Sequence, residues 1–108
     1  MTDKIIVLSA CAGAEEAERM ARHLVEKRLA ACVNIVPGAR SIYRWKGLIE
    51  DATEWLLIIK SRRGLFDRLS AEVAGMHSYE TPEVIAIPVA EGAVGYLNWM
   101  ERELSHEE

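Results

Sequence analysis

Between Ala31 and Lys60 the chain carries two long β-forming runs, broken only at Pro37-Gly38 and at Lys46-Gly47. Few arrangements accept such a stretch. Pro37 cannot donate a ladder hydrogen bond and Gly38 tolerates unusual dihedrals, so the first run, residues 31–45, is a strand that bulges or bends at that dipeptide. Beyond the bend Ile42, Arg44 and Lys46 alternate with Tyr43 and Trp45, the period of a half-buried strand. Lys46-Gly47 marks a tight reversal, and residues 48–60 return as a second strand ending in Trp55-Leu-Leu-Ile-Ile59. The product is one oversized β-hairpin.

The flanking segments complete an α+β pattern. Lys4–Leu8 is a nearly continuous apolar run, the signature of a strand covered on both faces. After the small-residue turn Cys11–Ala14, the acids Glu15, Glu16 and Glu18 suit the positive end of a helix dipole. Ala17, Met20, Ala21, Leu24 and Val25 form one apolar stripe, predicting a helix from about residue 14 to about residue 29. Leu65, Phe66, Leu69, Val73 and Met76 form a second helical stripe, and Gly75–Pro82 reads as a loop. Residues 83–89 are a last strand whose Pro88 calls for an edge or a bulge. A third helix carries Ala93, Leu97, Met100 and Leu104, and the tail from Ser105 is expected to fray.

The order β-α-β-β-α-β-α spells a ferredoxin-like double βαβ with an added C-terminal helix and a long β2–β3 hairpin. Its 108 residues have room for one domain, 1–108, and half of them are hydrophobic, enough for a packed interior. No helix is available to cover the second face of both central strands, yet those strands are continuously apolar. Another copy of the chain is expected to cover that face, since a large apolar surface would otherwise remain in water. With 17 acidic and 13 basic residues interspersed, the chain lacks the basic stripe of a nucleic-acid binder. No apolar run approaches the ~20 residues of a membrane span. The N-terminus lacks a signal-peptide pattern, and two cysteines, Cys11 and Cys32, make no disulfide framework or zinc motif, so a cytoplasmic setting is expected.

Four blocks then identify the chain more closely: Leu29-Ala-Ala-Cys-Val-Asn-Ile35, Ser41-Ile-Tyr-Arg-Trp-Lys-Gly47, Leu57-Ile-Ile-Lys60 and His77-Ser-Tyr-Glu-Thr-Pro-Glu83. In this order they closely resemble the CutA family of divalent-cation tolerance proteins, over Ile5 to about Trp99. The resemblance implies a tight homotrimer whose long hairpins wrap onto neighbouring subunits, an architecture similar to the PII signalling trimers. It also implies binding of copper or another divalent cation and a part in heavy-metal tolerance. The copper ligands of the family fall here on Ser9, Met76 and His77, of which only His77 keeps the ligand. Cys11 lies two residues beyond Ser9 and, if the strand continues, on the same face, which makes it a candidate substitute donor.

The metal candidates are therefore His77 and Cys11. For His77 the competing role is a loop ring that hydrogen-bonds the Tyr79 or Glu80 region and fixes its turn. Cys11, near a helix N-terminus, is the better candidate for oxidation, whereas Cys32 reads as a small buried apolar residue. Lys60 ends an apolar strand and needs an acidic partner, for which Glu80 or Glu83 is available. Lys60, Tyr79, Glu80 and Glu83 are thus candidates for an intersubunit cleft taking a small effector. Tyr43, Trp45 and Trp55 read as subunit-packing residues. No phosphate loop, nucleophile elbow or triad motif appears, so neither an enzyme nor an organic cofactor is expected. The alternatives to metal binding are a PII-like effector module and a trimeric assembly or anchoring protein.

Overall fold

The computed structural model describes residues 2–107. Strand β1 (Lys4–Cys11) leads into helix α1 (Ala14–Glu26), then β2 (Cys32–Trp45) and β3 (Leu48–Arg62). A 3-10 turn (Arg63–Leu65) feeds α2 (Phe66–Met76), followed by β4 (Ile85–Pro88) and α3 (Val94–Glu103). The four strands form one antiparallel sheet in the order β2-β3-β1-β4. The chain is therefore α+β.

Local sequence explains most of the boundaries. α1 stops at Glu26, short of the predicted residue 29, because Arg28 turns left-handed (φ 57°) and the Leu29 and Ala30 amides fold back onto the Leu24 carbonyl. The β2–β3 ladder shifts register between Val36 and Ala39, and Gly38 there has φ 77°. At the hairpin tip Lys46 and Gly47 both have positive φ (49° and 82°), the two-residue turn that matches the right-handed twist of the flanking strands. β4 is shorter than residues 83–89, and its Pro88 lies on the sheet edge paired to Ile5. The tail is more tied down than expected: the Ser105 amide donates to the Arg28 carbonyl at 2.8 Å.

Alternation splits the sheet into two faces. One face presents Ile5, Val7, Leu57 and Ile59 to Met20, Leu24, Leu69 and Val73 of α1 and α2, all within one buried core. The opposite face carries Ile6 and Leu8 of β1, Leu56 and Ile58 of β3, and Ile85 and Ile87 of β4. Helix α3 reaches only one end of it. There Lys4 Nζ meets Glu101 at 2.7 Å, the Lys60 ammonium sits 5.8 Å from the Tyr96 ring centroid, and Arg62 Nε donates to the Ser105 carbonyl at 3.0 Å. The rest stays open, with Ile85 53% and Ile87 47% exposed. The hairpin projects beyond the core and stretches the chain to 44 Å in its long dimension. Its radius of gyration, 14.3 Å, accordingly exceeds the roughly 13 Å of a compact chain this long.

Candidate functional site

The end of α2 organises the site. His77 leaves the helix in an extended conformation while its amide still donates to the Val73 carbonyl. Its ring then faces β1: Nε2 lies 2.7 Å from the Ala10 carbonyl, and the Tyr79 amide donates to Nδ1 at 3.0 Å. One protonation state satisfies both contacts, a neutral imidazole with its proton on Nε2. The turn beyond is held from α1, where Glu16 accepts from the Ser78 amide (2.8 Å) and the Ser78 hydroxyl (3.2 Å). Burial opposes ionisation of Glu16, but the hydrogen bonds from Ser78, with one from the Ala12 backbone, outweigh it and hold its pKa below the ordinary value.

Cys11, at the end of β1, completes the cluster. One donor atom each from Cys11, Glu16 and His77 lie within 4.8 Å of one another. The thiol is fully buried, and burial, reinforced by Glu16 and Glu54, pushes its pKa up to about 11. The helix N-terminus, expected to favour a thiolate, is outweighed by desolvation and negative neighbours, so Cys11 rests as a thiol. Ser9 is also fully buried on the same strand face, and its Oγ lacks a hydrogen-bond partner among the described residues. Met76 packs half-buried against the core.

A pocket of about 440 Å³ adjoins the cluster. The hairpin contributes Ser41, Tyr43 and Trp45, β3 contributes Glu54, and the loop after α2 contributes Tyr79 and Glu83. Tyr79 links the two features: its ring centroid is 4.7 Å from that of His77, and its hydroxyl donates to Glu54 at 2.6 Å. Burial first, then the bond to Glu54 and its charge, raises the phenol well above its ordinary pKa.

The cleft candidates divide. Tyr79 and Glu83 line the pocket, whereas Glu80 reaches outward to Lys46 at the hairpin tip, 3.5 Å away. Lys60 is not brought to them within one chain. It lies further along β3 than Glu54, about 20 Å at ~3.3 Å per residue. Its neighbours are Cys32 Sγ at 4.0 Å and the Tyr96 ring, with no carboxylate paired to it among the described residues. Cys32 is only half-buried, on the surface of the sheet rather than in the core.

Two residues escaped the sequence reading. Glu16 was absorbed into a helix-dipole pattern, and only the return of the chain at Ser78 reveals its second task. Glu54 did leave a signal, a carboxylate directly preceding the apolar run Trp55–Ile59. It is 6% exposed.

Comparison with known proteins decides the family. The model of the CutA1 divalent ion tolerance protein matches residues 5–103. This chain belongs to the CutA divalent-cation tolerance family. The Divalent-cation tolerance protein CutA of Thermus thermophilus is 46% identical over 95 residues, covering 88% of this chain and 92% of that protein. Human Protein CutA is 47% identical over 92 residues, 85% of this chain. The chain spans about half the length of such longer relatives, 51% of the human protein and 53% of the chloroplastic protein of Arabidopsis thaliana. Among solved structures, the Thermus thermophilus protein superposes with a TM-score of 0.92 at 43% identity, over 94% of this chain and 99% of that one. CutA from Xylella fastidiosa gives 0.93 at 38% identity, over 96% of this chain and 100% of that one. Among the described residues no helix is long and apolar enough to cross a membrane.

Proposed function

We propose that this chain works as a homotrimeric, non-catalytic divalent-cation tolerance protein that takes copper or a similar divalent ion at Cys11, Glu16 and His77. The observation that carries this reading is the convergence of a thiol, a carboxylate and an imidazole within 4.8 Å. Imidazole with sulfur suits copper and zinc, and a carboxylate broadens the range. Bonds of ~2.0–2.3 Å to one ion require the donors to draw slightly closer together. Coordination by His77 also requires the Nδ1 contact with Tyr79 or the Nε2 contact with Ala10 to open, which keeps affinity modest.

The buried thiol supplies the test. A thiol with a pKa near 11 must lose its proton to ligate, so each bound ion releases a proton. If Cys11 is a ligand, the apparent Kd for copper falls about tenfold per pH unit between pH 7 and 9. That slope disappears in Cys11→Ser, and binding itself is lost in His77→Ala. Calorimetric titration of metal-stripped protein reads both. A Kd independent of pH, or unchanged in His77→Ala, overturns the assignment.

The ferredoxin-like reading rests on the β2-β3-β1-β4 order, which matches the double βαβ. Trimerisation is supported by the exposed apolar residues of the open face and hairpin, among them Ile42 (64%), Leu48 (67%) and Ile49 (61%). Light scattering should return three times the 12.1 kDa chain mass; a monomer at micromolar concentration refutes it. A cytoplasmic setting agrees with two unpaired cysteines, although relatives carry the names chloroplastic and periplasmic. Cell fractionation tests it.

A further inference from the structure

The pocket beneath the hairpin has a composition that metal tolerance does not explain. Its volume, about 440 Å³, lies within the range of small-molecule sites. Two carboxylates, Glu54 and Glu83, line it, and among the described residues none that lines it is basic. Glu54 is 6% exposed and, among the described residues, is met by one hydrogen bond, from the Tyr79 hydroxyl, and by no cation. A buried carboxylate with a single neutral donor is under-compensated, and a positive charge delivered beside it gains more there than in water. Around it stand the aromatic rings of Tyr43, Trp45 and Tyr79, surfaces that attract ammonium and guanidinium groups. Trp45 already does so at the rim, where Lys46 Nζ lies 5.7 Å from its ring centroid and is paired to Glu80.

A metal ion is the weaker occupant. The one grouping of three metal-donor side chains found among the described residues is Cys11, Glu16 and His77, which does not include Glu54 or Glu83. Aromatic walls with a recessed carboxylate select an apolar body carrying one cationic head. The geometry points to this pocket as a binding site for a small organic cation, an aryl- or alkylamine or guanidine, with its head on Glu54 and its body against Tyr43 and Trp45. This site adjoins the metal cluster through Tyr79 but uses different carboxylates, Glu54 and Glu83 in place of Glu16.

The test titrates the native assembly, held in excess EDTA, with phenethylamine and phenethylguanidine at neutral pH, where each carries one positive charge. Phenethyl alcohol and phenylacetate serve as neutral and anionic controls of similar shape. Calorimetry and tryptophan fluorescence should show saturable binding of the amines, at least tenfold tighter than the alcohol, with no binding of the carboxylate. Glu54→Gln should weaken the amines tenfold or more while leaving oligomeric mass and circular dichroism unchanged. If that variant fails to fold, Glu83→Gln and Trp45→Phe replace it, each expected to weaken the amines severalfold. Amines binding no better than the alcohol, or undiminished binding in a folded Glu54→Gln variant, overturn the proposal. So does an absence of binding, as when a neighbouring subunit fills the pocket. Because EDTA removes divalent ions, none of these results bears on metal binding at Cys11, Glu16 and His77.

Discussion

Replacing Tyr79 with Phe deletes a single oxygen and tests how the pocket wall is held. That oxygen donates to Glu54 at 2.6 Å, and Glu54 is 6% exposed, so the carboxylate loses its one protein donor among the described residues. A hydrogen bond to a charged group contributes ~1.5–3 kcal/mol, and an unsatisfied buried charge costs at least as much. The pocket admits water to one side of Glu54, which places the expected loss near the lower bound, about 1.5 kcal/mol. Urea denaturation at fixed protomer concentration should show a lower midpoint with an unchanged slope. The pH profile adds a sign. The folded phenol is raised above its ordinary 10.0, so its contribution is complete below pH 10 and is lost as pH rises toward the folded value. Wild type should lose stability above pH 10 through this group, and Tyr79→Phe should lack that component. A double-mutant cycle with Glu54→Gln should give a coupling of at least ~0.5 kcal/mol. A loss under ~0.5 kcal/mol, or zero coupling, would show that water serves Glu54 as well as Tyr79 does.

Thiol labelling should separate the cysteines: at pH 7.5 iodoacetamide modifies Cys32 first, and the buried Cys11 reacts only on unfolding, as mass spectrometry of timed digests would reveal. Equal rates would contradict the burial of Cys11. For Lys4, burial disfavours the charge, but Asp3 at 2.6 Å and Glu101 at 2.7 Å raise its pKa, while the Lys4 contact lowers both carboxyls. Lowered carboxyl values give stability that is present above pH ~4.5 and lost as pH falls through the folded values. The acid limb of Lys4→Met should therefore be shallower than that of wild type; parallel limbs would refute the coupling. Gly47→Ala, at φ 82° and with open space around the added carbon, should cost about 1 kcal/mol through conformation alone, read from the denaturation midpoint.

Much of the fold was legible because its signals are local. Pro37-Gly38 marks the register shift, Lys46-Gly47 the two-residue reversal and Pro88 the sheet edge, and each follows from what one residue's backbone permits. The exact stop of α1 was not legible, since it depends on Arg28 adopting a left-handed conformation that no periodicity signals. His77 and Cys11 were legible as chemistry, and the chain does bring them together. The state of each was not: two hydrogen bonds occupy the His77 ring, and desolvation raises the Cys11 thiol.

The sequence by itself determined the order of elements, the oversized hairpin, the apolar second face and the family, because alternation, turn chemistry and motif spacing lie along the chain. Only the tertiary structure decided that Glu16 closes on Ser78, that Glu54 meets Tyr79 beneath the hairpin, and that Lys60 stands at the other end of β3. The physical reason is that burial and long-range contact set the protonation and hydrogen bonding of a side chain. Both arise from packing between segments far apart in the chain, where residue spacing carries no information.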